Sequence, residues 1–136
     1  MNKVILTGRL TADIELRKTQ LNKSVTEFNL AVDRDRKDSS GNRQSDFISV
    51  VVWEASADFL AQYAKKGTLI AVIGRLETSK YTAKDGTNRK KDYVTAERVE
   101  IMRQPADNKQ TETYEPKRAT ESFTYDDIDY NGVDFY

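Results

Sequence analysis

Cysteine and histidine are both absent from the 136 residues. Without thiols there is neither a disulfide framework nor a thiolate zinc site, and the chain suits a reducing compartment. Without imidazole, the commonest general base and the commonest nitrogen ligand for a metal are missing. Long apolar runs are lacking too. The longest, Val50 to Trp53 and Leu69 to Ile73, fall far short of the roughly 20 residues a membrane helix needs. At the N-terminus only Val4, Ile5 and Leu6 precede Thr7, too few for a secretory apolar core, so a cytoplasmic protein is expected. There is no glycine-rich phosphate loop and no nucleophile motif. Hydrophobic residues make up 38% and charged ones 32%. That composition suits one domain with a sizeable core and a remainder that does not fold.

What is present is unevenly charged. Lysine and arginine balance aspartate and glutamate at 22 each. Residues 1–103 nevertheless carry a net charge of +5, and residues 104–136 a net charge of −5. A basic body with an acidic end points to an anionic partner for the body.

The body reads as β structure. Residues 2–10 form an aliphatic strand in which Gly8 marks a bulge or bend. Leu10 to Leu21 is a polar connection, and Val25 to Asp33 is a second strand with Phe28, Leu30 and Val32 on one face. Arg34 to Gln44 reads as a loop around Ser39, Ser40, Gly41 and Asn42, edged by Arg34, Arg36, Lys37 and Arg43. In the third strand, Asp46 to Trp53, alternation sends Ile48, Val50 and Val52 one way. Phe47, Ser49, Val51 and Trp53 go the other. Ser56 caps an expected helix reaching Lys66, with Phe59, Leu60, Tyr63 and Ala64 as its apolar stripe and Gly67 just past its end. Thr68 to Tyr81 and Arg89 to Arg103 form a hairpin turning at Asp85-Gly86, with Lys80, Lys84, Arg89, Lys90 and Lys91 around its tip. Five strands with one helix between the third and fourth is the order of a mainly β, five-stranded Greek-key barrel of the OB type. Such barrels bind oligonucleotides or oligosaccharides on the strand 2–3 face. Phe47, Trp53 and Tyr81 either stack flat ligands there or fill a core or a subunit interface.

From Gln104 the periodicity stops. Residues 104–120 read as a disordered linker and 121–136 as an acidic, aromatic docking tail, in which Asp126, Asp127, Asp129, Asp134, Phe135 and Tyr136 are the contact candidates. An acidic end of this kind could also imitate nucleic acid for its own body. Asp127-x-Asp129-x-Asn131-Gly132 opens like a calcium loop, but the chain offers no glutamate at the twelfth loop position, and no metal or cofactor is expected. The pairs Asp33/Asp35 and Asp13/Glu15 are too little for a two-metal nuclease, so a binding protein rather than an enzyme is expected.

With these residues laid out, the chain resembles the bacterial and phage single-stranded DNA-binding proteins. The resemblance lies in MNKVILTGRL followed by T-x-D-x-E-L-R, in F-x-L-A-V at Phe28 to Val32 and in Asp46 to Trp53. It continues in A-x-x-L-x-x-Y-x-x-K-G ending at Gly67 and in V-x-G-R-L-x-T at Val72 to Thr78. It covers residues 1–103. It implies an OB-fold homotetramer, nucleoid-associated, that coats single-stranded DNA without sequence preference in replication, recombination and repair. The stacking positions it implies fall on Phe47, Trp53 and Tyr81. Lys3, Arg34, Arg36, Lys37, Arg43, Arg75, Lys80, Lys84, Arg89, Lys90 and Lys91 are the expected phosphate contacts. The family's tail ends in acids followed by Ile-Pro-Phe and docks replication and repair proteins. Here the end is Val133-Asp134-Phe135-Tyr136, without the proline.

Overall fold

The computed structural model describes residues 1–106. The expected linker beyond Ala106 and the docking tail at 121–136 lie outside the described residues. In chain order the elements are β1 (Val4–Leu10), β2 (Arg17–Lys18), β3 (Ser24–Lys37), β4 (Arg43–Trp53), α1 (Glu54–Tyr63), β5 (Leu69–Thr82) and β6 (Asn88–Arg103).

Five long strands close on themselves in the order β1-β5-β6-β4-β3, and β1 returns to β3. This is the OB barrel. All its pairings are antiparallel except β4 with β6, which run parallel through Val50↔Val94 and Val51↔Thr95. The two-residue β2 adds to the far edge of β3. Alternation fills the interior from one face of each strand: Leu10, Phe28, Leu30, Val50, Val52, Ile70, Val72 and Val94 form the core. Ala57 and Leu60 of α1 plug one end.

Closure depends on β1 changing partners, from β5 over Val4 to Arg9 to β3 at Arg9 and Leu10. Gly8 sits at that change. A Cβ there would lie 2.4 Å from the Ala31 carbonyl oxygen and 2.9 Å from Leu30 Cγ, so Gly8 marks a close approach of two backbones rather than a bulge. The register shifts of the β5–β6 ladder fall instead between Leu69 and Ile70 and between Ile73 and Gly74, and a Cβ on Gly74 would lie 2.2 Å from the Thr95 oxygen.

Two expected boundaries move. The strands β3 and β4 run on to Lys37 and Arg43, leaving only Asp38 to Asn42 as the turn. Arg34, Arg36, Lys37 and Arg43 are therefore strand residues and not part of a long loop. Their cross-strand pairing continues past Asp33 through an irregularity to Lys37↔Arg43, while Asp38 Oδ1 accepts the backbone N–H groups of Ser40 and Asn42 to fix the turn. The helix starts at Glu54 with Trp53 as N-cap and ends at Tyr63, so Ser56 is not the cap. Gly67, at φ +89°, belongs to a turn closed by the Thr68 N–H donating to the Lys65 oxygen at 3.0 Å. Only Ala57 and Leu60 of the helix are buried. Phe59 and Tyr63, expected in its apolar stripe, face outward.

Gly8→Ala is expected to destabilise the barrel by about 1–3 kcal/mol, because backbone rather than a movable side chain blocks the new methyl. Urea denaturation measures it, with Gly41→Ala, which has open space around it but a φ of +81°, as the milder comparison.

Candidate nucleic-acid interface

The outer side of β5, β6, β4 and β3 forms one continuous face. Directly opposed residues point the same way. The pairs Val51↔Glu27, Val51↔Thr95, Thr95↔Arg75, Tyr93↔Glu77 and Arg89↔Tyr81 therefore place Phe47, Trp53 and Tyr81 on that side together. The parallel pairing of β4 with β6 adds a second consequence. Both strands begin at a hairpin turn, Asp38 to Asn42 and Ala83 to Thr87, so both hairpins leave the same end of the barrel. Phe47 and Tyr81 lie toward that end. Trp53 lies at the other, where α1 begins.

No second layer covers this face among the described residues. It is partly self-covered: Val25, Val51 and Tyr93 make a small second core, and Trp53 packs against it. Phe47 stays open at 41% exposure, and Tyr81 is half-buried. The three aromatics are thus not equivalent.

Most of the expected cations on the sheet already have carboxylate partners. Arg34 donates through Nε and Nη2 to Asp46, the closest contact being 2.7 Å, and this fork holds the Asp46 carboxyl below the usual carboxylate range. Because Asp46 faces Val32 and alternates with Phe47, Arg34 points to the side of the hairpin opposite the aromatics. Arg75 pairs with Glu77 at 2.6 Å, Lys3 with Glu97 at 2.5 Å, Arg89 with Asp85 at 3.3 Å and Lys90 with Asp92 at 3.6 Å. Lys91 and the Ser49 hydroxyl both donate to Glu27. Arg36, Lys37 and Arg43 on one hairpin, and Lys80 and Lys84 on the other, have no ion-pair partner among the described residues. An open cleft of about 440 Å³ runs beside the first hairpin, lined by Arg34, Asp35, Arg36, Lys37, Asp38 and Gln44.

Sequence reasoning missed the polar centre of the face, made of Glu27, Glu77 and Tyr93. Alternation along β3, β5 and β6 could have put them on the outer side. Their convergence depends on which strands become neighbours. Glu77 takes Arg75 Nε on one oxygen and the Thr95 hydroxyl, at 3.0 Å, on the other. Tyr93 is 4% exposed. Burial, then the charge of Glu77 and a hydrogen bond to it, with Glu27 adding to the effect, push its phenol up to about 12. A phenol whose folded value lies above its unfolded value favours the fold fully below the unfolded value. That contribution is lost as pH rises from about 10 to about 12. Stability is therefore expected to fall across that window, and Tyr93→Phe to flatten the fall. Denaturation at stepped pH, with a tyrosinate absorbance titration whose late component Tyr93→Phe removes, is the check.

Among the described residues no cluster of three or more His, Cys, Asp or Glu is placed to hold a metal, and no helix is long and apolar enough to cross a membrane. The acid pairs weighed earlier have other contacts: Asp33 accepts the Ser45 hydroxyl and Asp13 accepts the Lys66 backbone N–H.

Residues 1–102 match the single-strand binding protein family. The chain is 42% identical over 102 residues to the single-stranded DNA-binding protein of Streptococcus mutans, a match covering 75% of this chain and 62% of that one. It is 40% identical over 111 residues to single-stranded DNA-binding protein 3 of Streptococcus agalactiae, covering 82% and 80%. With the single-stranded DNA-binding protein of Clostridium tetani it shares 42% identity over 137 aligned positions, covering 100% of this chain and 90% of the relative. A closed OB barrel with an aromatic outer face, matched across its whole length, places this chain in the single-strand binding protein family.

Proposed function

We propose that this chain binds single-stranded DNA without sequence preference, coating it in replication, recombination and repair. The observation that carries the reading is one sheet face that holds Phe47, Trp53 and Tyr81, with two hairpins leaving the barrel at the end nearer Phe47 and Tyr81. Stacking on an aromatic face accepts any base, because every base has a π-face, and a flanking cationic groove tracks the backbone. Relatives that share 40–42% identity carry the name single-stranded DNA-binding protein, which supports the assignment. Nothing in the reading requires catalysis. A homotetramer fits it: the outward edge of β1 over Val4 to Gly8 pairs with no strand among the described residues, and Ile5 on that strand is 75% exposed. Residues 104–120 serve as a linker. The end at 121–136 recruits replication and repair proteins through Asp126, Asp127, Asp129, Asp134, Phe135 and Tyr136.

The pairing of charges sharpens the proposal. If all eleven expected cations met phosphates, the slope of log affinity on log salt would be about −8; if only Arg36, Lys37, Arg43, Lys80 and Lys84 do, it is about −3.5. The smaller figure is expected per protomer for a dT oligomer of about 8 bases, because the other cations must first leave a carboxylate. Trp53, the single tryptophan, reports binding by its fluorescence. Quenching that reverses at high salt supports the reading, and absence of binding to any oligomer sinks it. Trp53→Ala is expected to weaken binding about tenfold with an unchanged salt slope, since stacking releases no counterions. Binding without quenching would leave stacking to Phe47 and Tyr81.

Removal of residues 121–136 is expected to leave DNA affinity unchanged or raised and to abolish recruitment of replication and repair enzymes. Titration of full-length and shortened chains, with co-precipitation of those enzymes, measures both.

A further inference from the structure

The outer side of α1 has features that neither the barrel core nor the sheet face uses. Phe59 and Tyr63 stand one helical turn apart with ring centroids 5.3 Å from each other and planes tilted by 50°. They are 39% and 54% exposed, while Ala57 and Leu60 make the helix's contact with the core. Two wet aromatics side by side on a ten-residue helix are not needed to hold it down.

Lys65 and Lys66 follow immediately. Lysines there would ordinarily satisfy carbonyls at the helix end. Two of these carbonyls have other donors. The Ala64 N–H donates to the Leu60 oxygen at 2.8 Å and Gln104 Nε2 to the Tyr63 oxygen at 2.9 Å. Neither lysine ammonium has an ion-pair partner among the described residues, unlike Arg75 or Lys91 on the sheet. Asp13 accepts the Lys66 backbone N–H at 2.8 Å rather than its ammonium. An exposed aromatic pair beside two uncompensated cations is the composition of a single-strand stacking platform.

The helix is joined to the sheet face through Trp53. Trp53 is both the last residue of β4 and the N-cap of α1, and ten residues of helix span about 15 Å. A strand that passes Trp53 can continue over the helix. We infer that α1 is a second contact site for the same single strand, in which Phe59 and Tyr63 stack a base and Lys65 and Lys66 hold its phosphates. This rests on the single-stranded DNA reading and extends it beyond the sheet.

The test compares dT oligomers of about 8 and about 16 bases, one filling the sheet face and the other long enough to reach α1. With the full-length chain, the double variant Phe59→Ala/Tyr63→Ala is expected to lower the ratio of long- to short-oligomer affinity about tenfold. The variant Lys65→Gln/Lys66→Gln is expected to make the salt slope of the long oligomer shallower by about 1.4, two phosphate contacts. An unchanged ratio in the first variant together with an unchanged slope in the second overturns the inference and leaves the sheet-face reading intact. A lowered molar mass in solution for the aromatic variant also overturns it, because the pair would then be a subunit contact. Failure of the unaltered chain to bind either oligomer removes both readings at once. Should the aromatic variant not fold, the lysine variant alone decides.

Discussion

The short parallel contact between β4 and β6 is the constraint from which the geometry of the face follows. Only Val50↔Val94 and Val51↔Thr95 are paired, yet they fix the direction of two hairpins. Two antiparallel neighbours would have sent their turns to opposite ends of the barrel. A parallel pair sends them to the same end, so the β3–β4 and β5–β6 turns project side by side. Parallel neighbours require a crossover, and here it consists of α1 and β5. The helix that makes the crossover possible also plugs the barrel with Ala57 and Leu60 and turns Phe59 and Tyr63 outward.

The electrostatics of the face are less basic than its sequence. Glu27 and Glu77 neutralise Lys91 and Arg75 in the middle, and Asp46 holds Arg34 on the far side of its hairpin. Among the described residues, Arg36, Lys37, Arg43, Lys80 and Lys84 on the hairpins and Lys65 and Lys66 after α1 have no ion-pair partner. The face therefore has a neutral centre and a cationic border. The pairings at the centre involve the neighbours of Tyr93, whose phenol is hydrogen-bonded to Glu77. Tyr93 is buried beneath them, and Trp53 packs on the same small cluster. Exposed pairs such as Arg34–Asp46 add little to stability by themselves, and their larger effect is on which cations are free to meet an anion.

Barrel closure imposes a separate demand, met by backbone proximity rather than by side chains. Gly8 lets β1 cross against Ala31, and Gly74 lets β5 lie against Thr95. Either position with a larger residue would hold two ladders apart.

Strand identity, core face and fold class were legible in the sequence because period-2 alternation is a local property. Phe28, Leu30, Val50 and Val52 are interior as their alternation requires, and Phe47 and Trp53 are on the other side. The position of α1 between the third and fourth long strands was legible for the same reason. Its exposed aromatic pair was not, since Phe59 and Tyr63 fit an apolar stripe equally well until the helix has a surface to lie on. Nor could local sequence reveal that Arg34, Arg36, Lys37 and Arg43 continue the strands, because pairing across a hairpin extends strands that their own composition would end. The sequence by itself determined which residues alternate inward and where the charges sit along the chain. Tertiary structure alone decided which charges cancel, because Glu27 meets Lys91 only when strands 64 residues apart in the chain converge.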